Sequence, residues 1–338
     1  MNKPVNYITS PKKVNNASAD VITAVITAPG QVEWQSTTPP TLAPDEVLVR
    51  LEGCGVCASS LPKWEGREWF TYPQEPGDPG HEGWGIVTKV GESVEHIQPG
   101  DRVAILSYHA FANYDKTQAK NVIKLPNYLV NKPFPGEPLG CAMNILDRSD
   151  IQPGQTVAII GIGFLGALLI ELAKNQGATV IALSQRSSSL ELAWQQGADY
   201  VLPLDDHYKI IEQVKNITNG NFCDRVIEAT GKEWPLNLAG ELTAVRGKLI
   251  IAGFHQDGMR QVNVQLWNWR GLDIINAHER DAKHYINGIK NVIAAVGQGT
   301  LHYEHLLTHS FPLHQLPEAL NLLKSRPDGF VKAYVTMQ

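Results

Sequence analysis

The sequence predicts an α/β protein: a doubly wound parallel sheet joined to a second, mostly β domain. Three observations predict it. Residues 139–278 alternate strand-like and helix-like segments, residues 159–186 read as strand, glycine turn, helix and strand, and residues 21–138 carry mainly strand signals. The expected organisation is a flexible arm over 1–20, a mostly β domain from 21–138 completed by 279–338, and a nucleotide-type domain over 139–278.

In the β-rich part, VITAVI precedes the turn-forming APG, and EVLVRLEG follows Pro44 and Asp45. GIVTKVG and DRVAIL continue the pattern, with PGD as a turn before the latter. From about Glu137 the order becomes TVAIIG, a helix, TVIAL, the LELAWQQ helix, DYVLPL, a helix near 206–218, RVIEATG, a helix near 234–244, KLIIAG and DIINAH. Strands separated by helices imply right-handed crossovers in a parallel sheet. The tail returns to helices near 281–297 and 314–325. It ends in FVKAYVTM, a strand expected to pack back on the first domain.

Thr156 to Ile160 is a β-branched run, and Gly161, Gly163 and Gly166 fill G-x-G-x-x-G in GIGFLG. Such glycines serve a tight turn, the backbone's approach to a pyrophosphate, and close packing of helix on strand. The helix from Phe164 to Asn175 would present its unpaired N–H groups to phosphates. Gly161, Ile162, Gly163, Phe164, Leu165 and Gly166 are therefore candidate dinucleotide contacts, with Thr230, Gly253, Phe254 and His255 expected at later strand ends. The next strand, Thr179 to Leu183, ends in Ser184, Gln185 and Arg186, where an acidic residue commonly meets the ribose 2′-hydroxyl. With no carboxylate to repel it and an arginine to grip it, a 2′-phosphate is welcome, so NADP(H) is expected over NAD(H).

The chain has 338 residues, 43% hydrophobic content, 19% charged residues and a formal charge of −5, the balance of an ordinary two-domain globular protein. That charge gives no electrostatic case for nucleic acid or an anionic membrane. No apolar stretch approaches the roughly 20 residues of a bilayer span, and the polar N-terminus lacks a signal-peptide centre. Four scattered cysteines do not make a disulfide scaffold, so a reducing cytoplasm is expected.

Cys57 lies in GCGVCASS, and 24 residues on GHEGWGIVTKVG carries His81 and Glu82. Together with GIGFLG, EATG at 228–231 and LLTH at 306–309, these motifs resemble the zinc-dependent alcohol and polyol (sorbitol-type) branch of the medium-chain dehydrogenase/reductases. The resemblance runs from about residue 21 to the end. It implies a GroES-like catalytic domain beside a Rossmann domain, and a catalytic zinc on Cys57, His81 and a third ligand ahead of the nucleotide domain. EPLGCAMN offers Glu137, the preferred third ligand, with Cys141 as the alternative; Glu82 is expected beside the metal, able to ligate it. Thiolate, imidazole and carboxylate suit tetrahedral zinc with one open position. Ser59 takes the place of the family's proton-relay hydroxyl.

The chain departs from that pattern in three places. Ser60 replaces the acidic residue that orients the zinc histidine, and Pro62 stands where a relay histidine is frequent, leaving water or Glu82 to carry the proton. No cysteine lies between Cys57 and Cys141, so one catalytic zinc and no structural zinc are expected. Aromatic residues near the motifs, Trp64 and Trp84 foremost, suggest an aromatic-floored pocket for a polyol, sugar or cyclitol. By resemblance a homodimer or homotetramer is expected. The competing readings are a metal-free quinone or enoyl reductase on the same fold, which would need no thiolate, and a nucleotide-binding protein without turnover.

Overall fold

A computed structural model describes residues 7–8 and 20–337. The expected arm, 1–20, falls outside the described residues except for Asp20 and the short strand β1 (Tyr7–Ile8), which pairs with a later strand. The chain forms two compact units, one from 1–138 and 304–338, the other from 139–303.

In the first unit β2 (Val21–Ala28) and β3 (Gln31–Thr37) form a hairpin that completes the three-stranded sheet β1-β3-β2. The long β4 (Glu46–Val56) leads through a 3₁₀ turn at Ala58–Ser60 into α1 (Leu61–Glu65). Then follow β5 (Gly83–Val90), β6 (Arg102–Ile105), β7 (Tyr114–Gln118) and β8 (Val122–Lys124). Helix α2 (Gly136–Ser149) runs across the boundary into the second unit.

The second unit is β9 (Thr156–Ile160), α3 (Phe164–Asn175), β10 (Thr179–Ser184), α4 (Ser187–Gln195), β11 (Tyr200–Pro203), α5 (His207–Ile217), β12 (Cys223–Glu228), α6 (Glu233–Leu242), β13 (Thr243–Ile251), α7 (Val264–Arg270), β14 (Asp273–Asn276) and α8 (Ala282–Gly297). Its six strands run parallel in the order β11-β10-β9-β12-β13-β14, with Ile159 opposite both Ala182 and Ile227. The order reverses between β9 and β12, and the glycine turn follows β9, where such sheets take their ligands. Ile159, Ile160 and Leu168 are wholly buried, each stabilising the fold by about 1.5–3 kcal/mol.

Back in the first unit, β15 (Leu307–Pro312), α9 (Leu316–Ser325) and β16 (Lys332–Thr336) close the chain. The seven-stranded sheet reads β15-β16-β4-β5-β6-β8, with β7 also on β4. β16 runs antiparallel to β4, with Ala333 opposite Val56 and Tyr334 opposite Gly55, so the tail returns as expected. Where the sequence placed a boundary at 278, α8 instead belongs to the nucleotide-type unit. The reason is close packing: a Cβ on Gly288 would come within 2.5 Å of the Gly140 carbonyl of α2. His302 and Asn175 continue that attachment through bonds to Glu171 and Thr300.

Candidate metal and dinucleotide sites

β4 ends at Val56 and leaves Cys57 just past its C-terminal end, in extended backbone before the 3₁₀ turn, and the Ser60 amide donates to the Cys57 carbonyl over 3.0 Å. His81 and Glu82 come from the segment entering β5. Backbone bonds fasten that segment: Gly77 N–H to the Ala24 carbonyl, Ala110 N–H to that of Gly80, and Gly55 N–H to that of Glu82. Ligand atoms of Cys57, His81 and Glu82 all lie within 4.8 Å of one another.

The hydroxyl of Ser59 donates to Cys57 Sγ over 3.2 Å and lies 3.4 Å from His81 Nε2. His81 Nδ1 lies 2.7 Å from the carbonyl oxygen of Pro79. That oxygen only accepts, so Nδ1 carries the proton and Nε2 is the nitrogen turned toward Cys57 and Ser59, the one that would offer its lone pair to a metal. The backbone thus orients the imidazole, the task that the acid missing at Ser60 performs in relatives. Ser60 itself is wholly buried, and its hydroxyl has no hydrogen-bond partner among the described residues.

Glu82 is wholly buried, in space that only a glycine at 55 leaves open: a Cβ there would meet Glu82 Oε2 at 1.7 Å. Lys332 of β16, 5% exposed, donates to Oε1 over 2.8 Å and to the Val56 carbonyl over 3.3 Å. Its Nζ is 2.7 Å from Oε2 as well, so the ammonium contacts both carboxylate oxygens. Burial disfavours charge on Lys332, but Glu82, Cys57 and Glu137 outweigh burial and raise its pKa above the ordinary lysine value. Burial likewise opposes a positive His81, and Cys57, then Glu137 and Glu82, overturn it and raise the imidazole well above its ordinary value.

The thiol and the two carboxyl groups gathered around His81 suit a metal cation. The donor set of one thiol, one imidazole and one carboxylate fits zinc. Glu137, the ligand preferred from sequence, is not in the tight group among the described residues; Glu82 is its carboxylate instead. Glu137 acts on His81 and Lys332 through its charge. Cys141 lies one helical turn further along α2, in the second unit.

Trp64 and Trp84 are core residues, each 3% exposed, and this corrects their assignment to a substrate pocket. Trp64 donates its indole N–H to Asn321 Oδ1, and Trp84 packs on Tyr334. The exposed aromatic beside the site is Tyr108, 67% exposed, its ring centroid 6.1 Å from that of His81. Cys54 is wholly buried on β4, where burial and then Glu82 push its thiol well up, and Cys223 is held up by burial in the other core. Both are free, buried thiols.

In the second unit Gly161 has φ +102°, and a Cβ there would meet Thr230 Cγ2 at 2.6 Å. A Cβ on Gly166 would strike the Gly161 carbonyl at 2.1 Å, so α3 packs directly on the turn. Gly163 faces open space, and the backbone beside it is bare for a phosphate. Ile162 and Phe164 are buried, which leaves their backbone rather than their side chains to meet a ligand. Leu165 follows in the first turn of α3. Ser184 is buried at the end of β10, Gln185 is exposed, and Arg186 caps α4.

The sequence reading missed Glu228, which is wholly buried at the end of β12. Its Oε1 accepts from the Thr230 hydroxyl and from the amides of Thr230 and Gly231, at 2.6 and 3.0 Å for the amides. Its Oε2 lies 2.9 Å from His255 Nε2, and Arg260 Nε donates to His255 Nδ1 over 3.2 Å. Thr230 and His255, proposed as cofactor contacts, thus have structural partners that fix the loops after β12 and β13. Phe254 beside them is exposed and stacked on His278 at 5.5 Å.

The family model for an alcohol dehydrogenase GroES-like domain matches residues 43–142, and that for a zinc-binding dehydrogenase matches 165–296. Fold, site and both models agree: the chain belongs to the zinc-dependent medium-chain dehydrogenase/reductase superfamily and is an oxidoreductase. Its similarity lies with the polyol branch. Sorbitol dehydrogenase of Mus musculus is 28% identical, spanning 91% of this chain and 94% of the relative, and that of Bacillus subtilis is 28% identical, spanning 86% and 90%. Among solved structures, an alcohol dehydrogenase from Thermus sp. ATN1 shares the fold with a TM-score of 0.80 at 24% identity, covering 94% of this chain and all of that one. A zinc-binding dehydrogenase of Sinorhizobium meliloti bound to NADP shares it with a TM-score of 0.79 at 23% identity, covering 94% and 99%. No helix among the described residues is long and apolar enough to cross a membrane.

Proposed function

We propose that this enzyme moves a hydride between NADP(H) and a polyol, sugar or cyclitol-like alcohol or its carbonyl counterpart, with one zinc per chain. The observation that carries the reading is the gathering of Cys57, His81 and Glu82 within 4.8 Å in one fastened pocket. Those three side chains would hold the metal, with Glu137 adding negative charge. Bound there, zinc supplies Lewis-acid polarisation of the substrate oxygen.

The chain's own groups do the rest. The Pro79 carbonyl fixes the tautomer of His81, and Ser59 Oγ, beside both Cys57 and His81, is placed to take up the alcohol proton. Glu82, buried and paired with Lys332, gives that proton no way to solvent, so water carries it onward. NADP(H) is supported by Ser184, Gln185 and Arg186, which present a cation and no carboxylate where the 2′-substituent belongs. The polyol class is supported by the sorbitol dehydrogenase relatives. The homodimer or homotetramer rests on the family resemblance. Turnover across a panel of polyols, sugars and cyclitols with each dinucleotide tests the reading. Oxidation of members of that panel with NADP(H) favoured is the expected result, and dinucleotide binding with no turnover on any alcohol or carbonyl would overturn it.

A further inference from the structure

Lys332 is the charged residue that the proposed mechanism does not use, and it is buried at the metal-type pocket. One ammonium bridges two segments: it donates to the Val56 carbonyl, immediately before Cys57, and to Glu82, immediately after His81. It reaches them from the far end of the chain, on β16 beside β4. Its Nζ lies 2.8 Å from Oε1 and 2.7 Å from Oε2, and one carboxylate oxygen of Glu82 lies within 4.8 Å of the ligand atoms of Cys57 and His81, so the ammonium holds the same carboxylate that a metal there would use.

We propose that Lys332 is a positioning residue that competes with the metal for the Glu82 carboxylate, so that Glu82 is shared between an ammonium and the ion instead of being given wholly to the ion. The inference rests on the zinc reading above. Its physical basis is a difference between two states. Without Lys332, the metal-free protein holds a buried carboxylate with no counter-charge, whereas the metal-loaded protein can satisfy that carboxylate with the ion. Whatever destabilises the empty state more than the loaded one tightens binding by the same factor. Lys332 thus weakens zinc binding.

The test is the zinc(II) dissociation constant of the full chain, measured by competition with a chromogenic chelator, for wild type, Lys332→Met and the double variant Glu82→Gln with Lys332→Met. Lys332→Met is expected to bind zinc about tenfold more tightly or better. The double variant loses that gain and binds no more tightly than wild type. An unchanged constant in Lys332→Met would reduce the lysine to scaffold, a weaker one would make it a strut that presents Glu82 to the metal, and a gain that survives in the double variant would mean simple charge repulsion. Each of these overturns the proposal. Should Lys332→Met fold only with zinc present, Lys332→Arg decides: its bidentate fork holds the carboxylate harder, so zinc binding weakens, and unchanged or tighter binding refutes the competition. A wild type that binds no zinc overturns the zinc reading itself, an outcome distinct from any difference between variants.

Discussion

The dinucleotide turn of the second unit and the metal-type pocket of the first are built in opposite ways. The turn occupies consecutive residues, Gly161 to Gly166, and its shape follows from what a side chain would strike there. The pocket joins Cys57 to His81 and Glu82, and it is braced by Lys332, which lies 276 positions from the Val56 carbonyl it contacts. A local device can be written into six residues, whereas a metal pocket needs the sheet to have formed first, with β4, β5 and β16 already paired. The two sites should therefore fail independently.

Cys57→Ala attacks the pocket alone and has the largest expected effect. Turnover falls on the order of a thousandfold or more, since the lost Lewis acid contributes several kcal/mol, while titration of NADPH fluorescence shows dinucleotide binding unchanged. Weakened dinucleotide binding in this variant would break the independence of the two sites.

Gly161→Val is the converse experiment. At φ +102°, with Thr230 Cγ2 in the way, the substitution strains the backbone and displaces a neighbour. It should cost about 1–3 kcal/mol in a denaturant melt and abolish measurable NADPH binding, with zinc content unaltered.

Arg186→Glu sharpens the comparison within the nucleotide unit. Removing a charged hydrogen-bond donor to phosphate is worth about 1.5–3 kcal/mol, so NADPH affinity should drop on the order of 10–100-fold. NADH affinity should hold or rise. Equal loss of both would show that Arg186 does not read the 2′-substituent.

The smallest effect belongs to Asp199, far from either task. Burial raises its carboxyl, but Lys174 and the Val180 amide outweigh burial and hold its pKa below the usual carboxylate value. A lowered folded-state pKa contributes stability that is present above the unfolded value near 3.9 and is lost as pH falls through the folded value. Its side chain is 36% exposed, so the contribution is at most about 1 kcal/mol. Asp199→Asn should lower the melting temperature slightly at pH 7, and the gap from wild type should close below about pH 4. A gap that persists in acid would mean a packing effect instead.

The nucleotide unit was legible almost residue by residue, because the 2-residue and 3.6-residue periods and the glycine spacing are local. Its end was misjudged at 278, since the packing of α8 on α2 through Gly140 and Gly288 leaves no periodic signal. In the first unit Cys57, His81 and Glu82 were legible from their motifs, but the partners that orient them were not. The Pro79 carbonyl is backbone and leaves no mark in composition. Lys332 did leave one, a lone charge inside the apolar strand FVKAYV, yet its partner could be found only once β16 was laid beside β4. Trp64 and Trp84 misled because an aromatic near a motif is as readily core as pocket.

The central claim is one zinc per chain on a pocket that requires Cys57, and zinc stoichiometry by elemental mass spectrometry tests it most directly, on protein purified without chelator or added metal. The account predicts close to one zinc in wild type and almost none in a folded Cys57→Ala variant. A wild type that holds no zinc and cannot be reconstituted, or a Cys57→Ala variant that keeps its zinc, would contradict it.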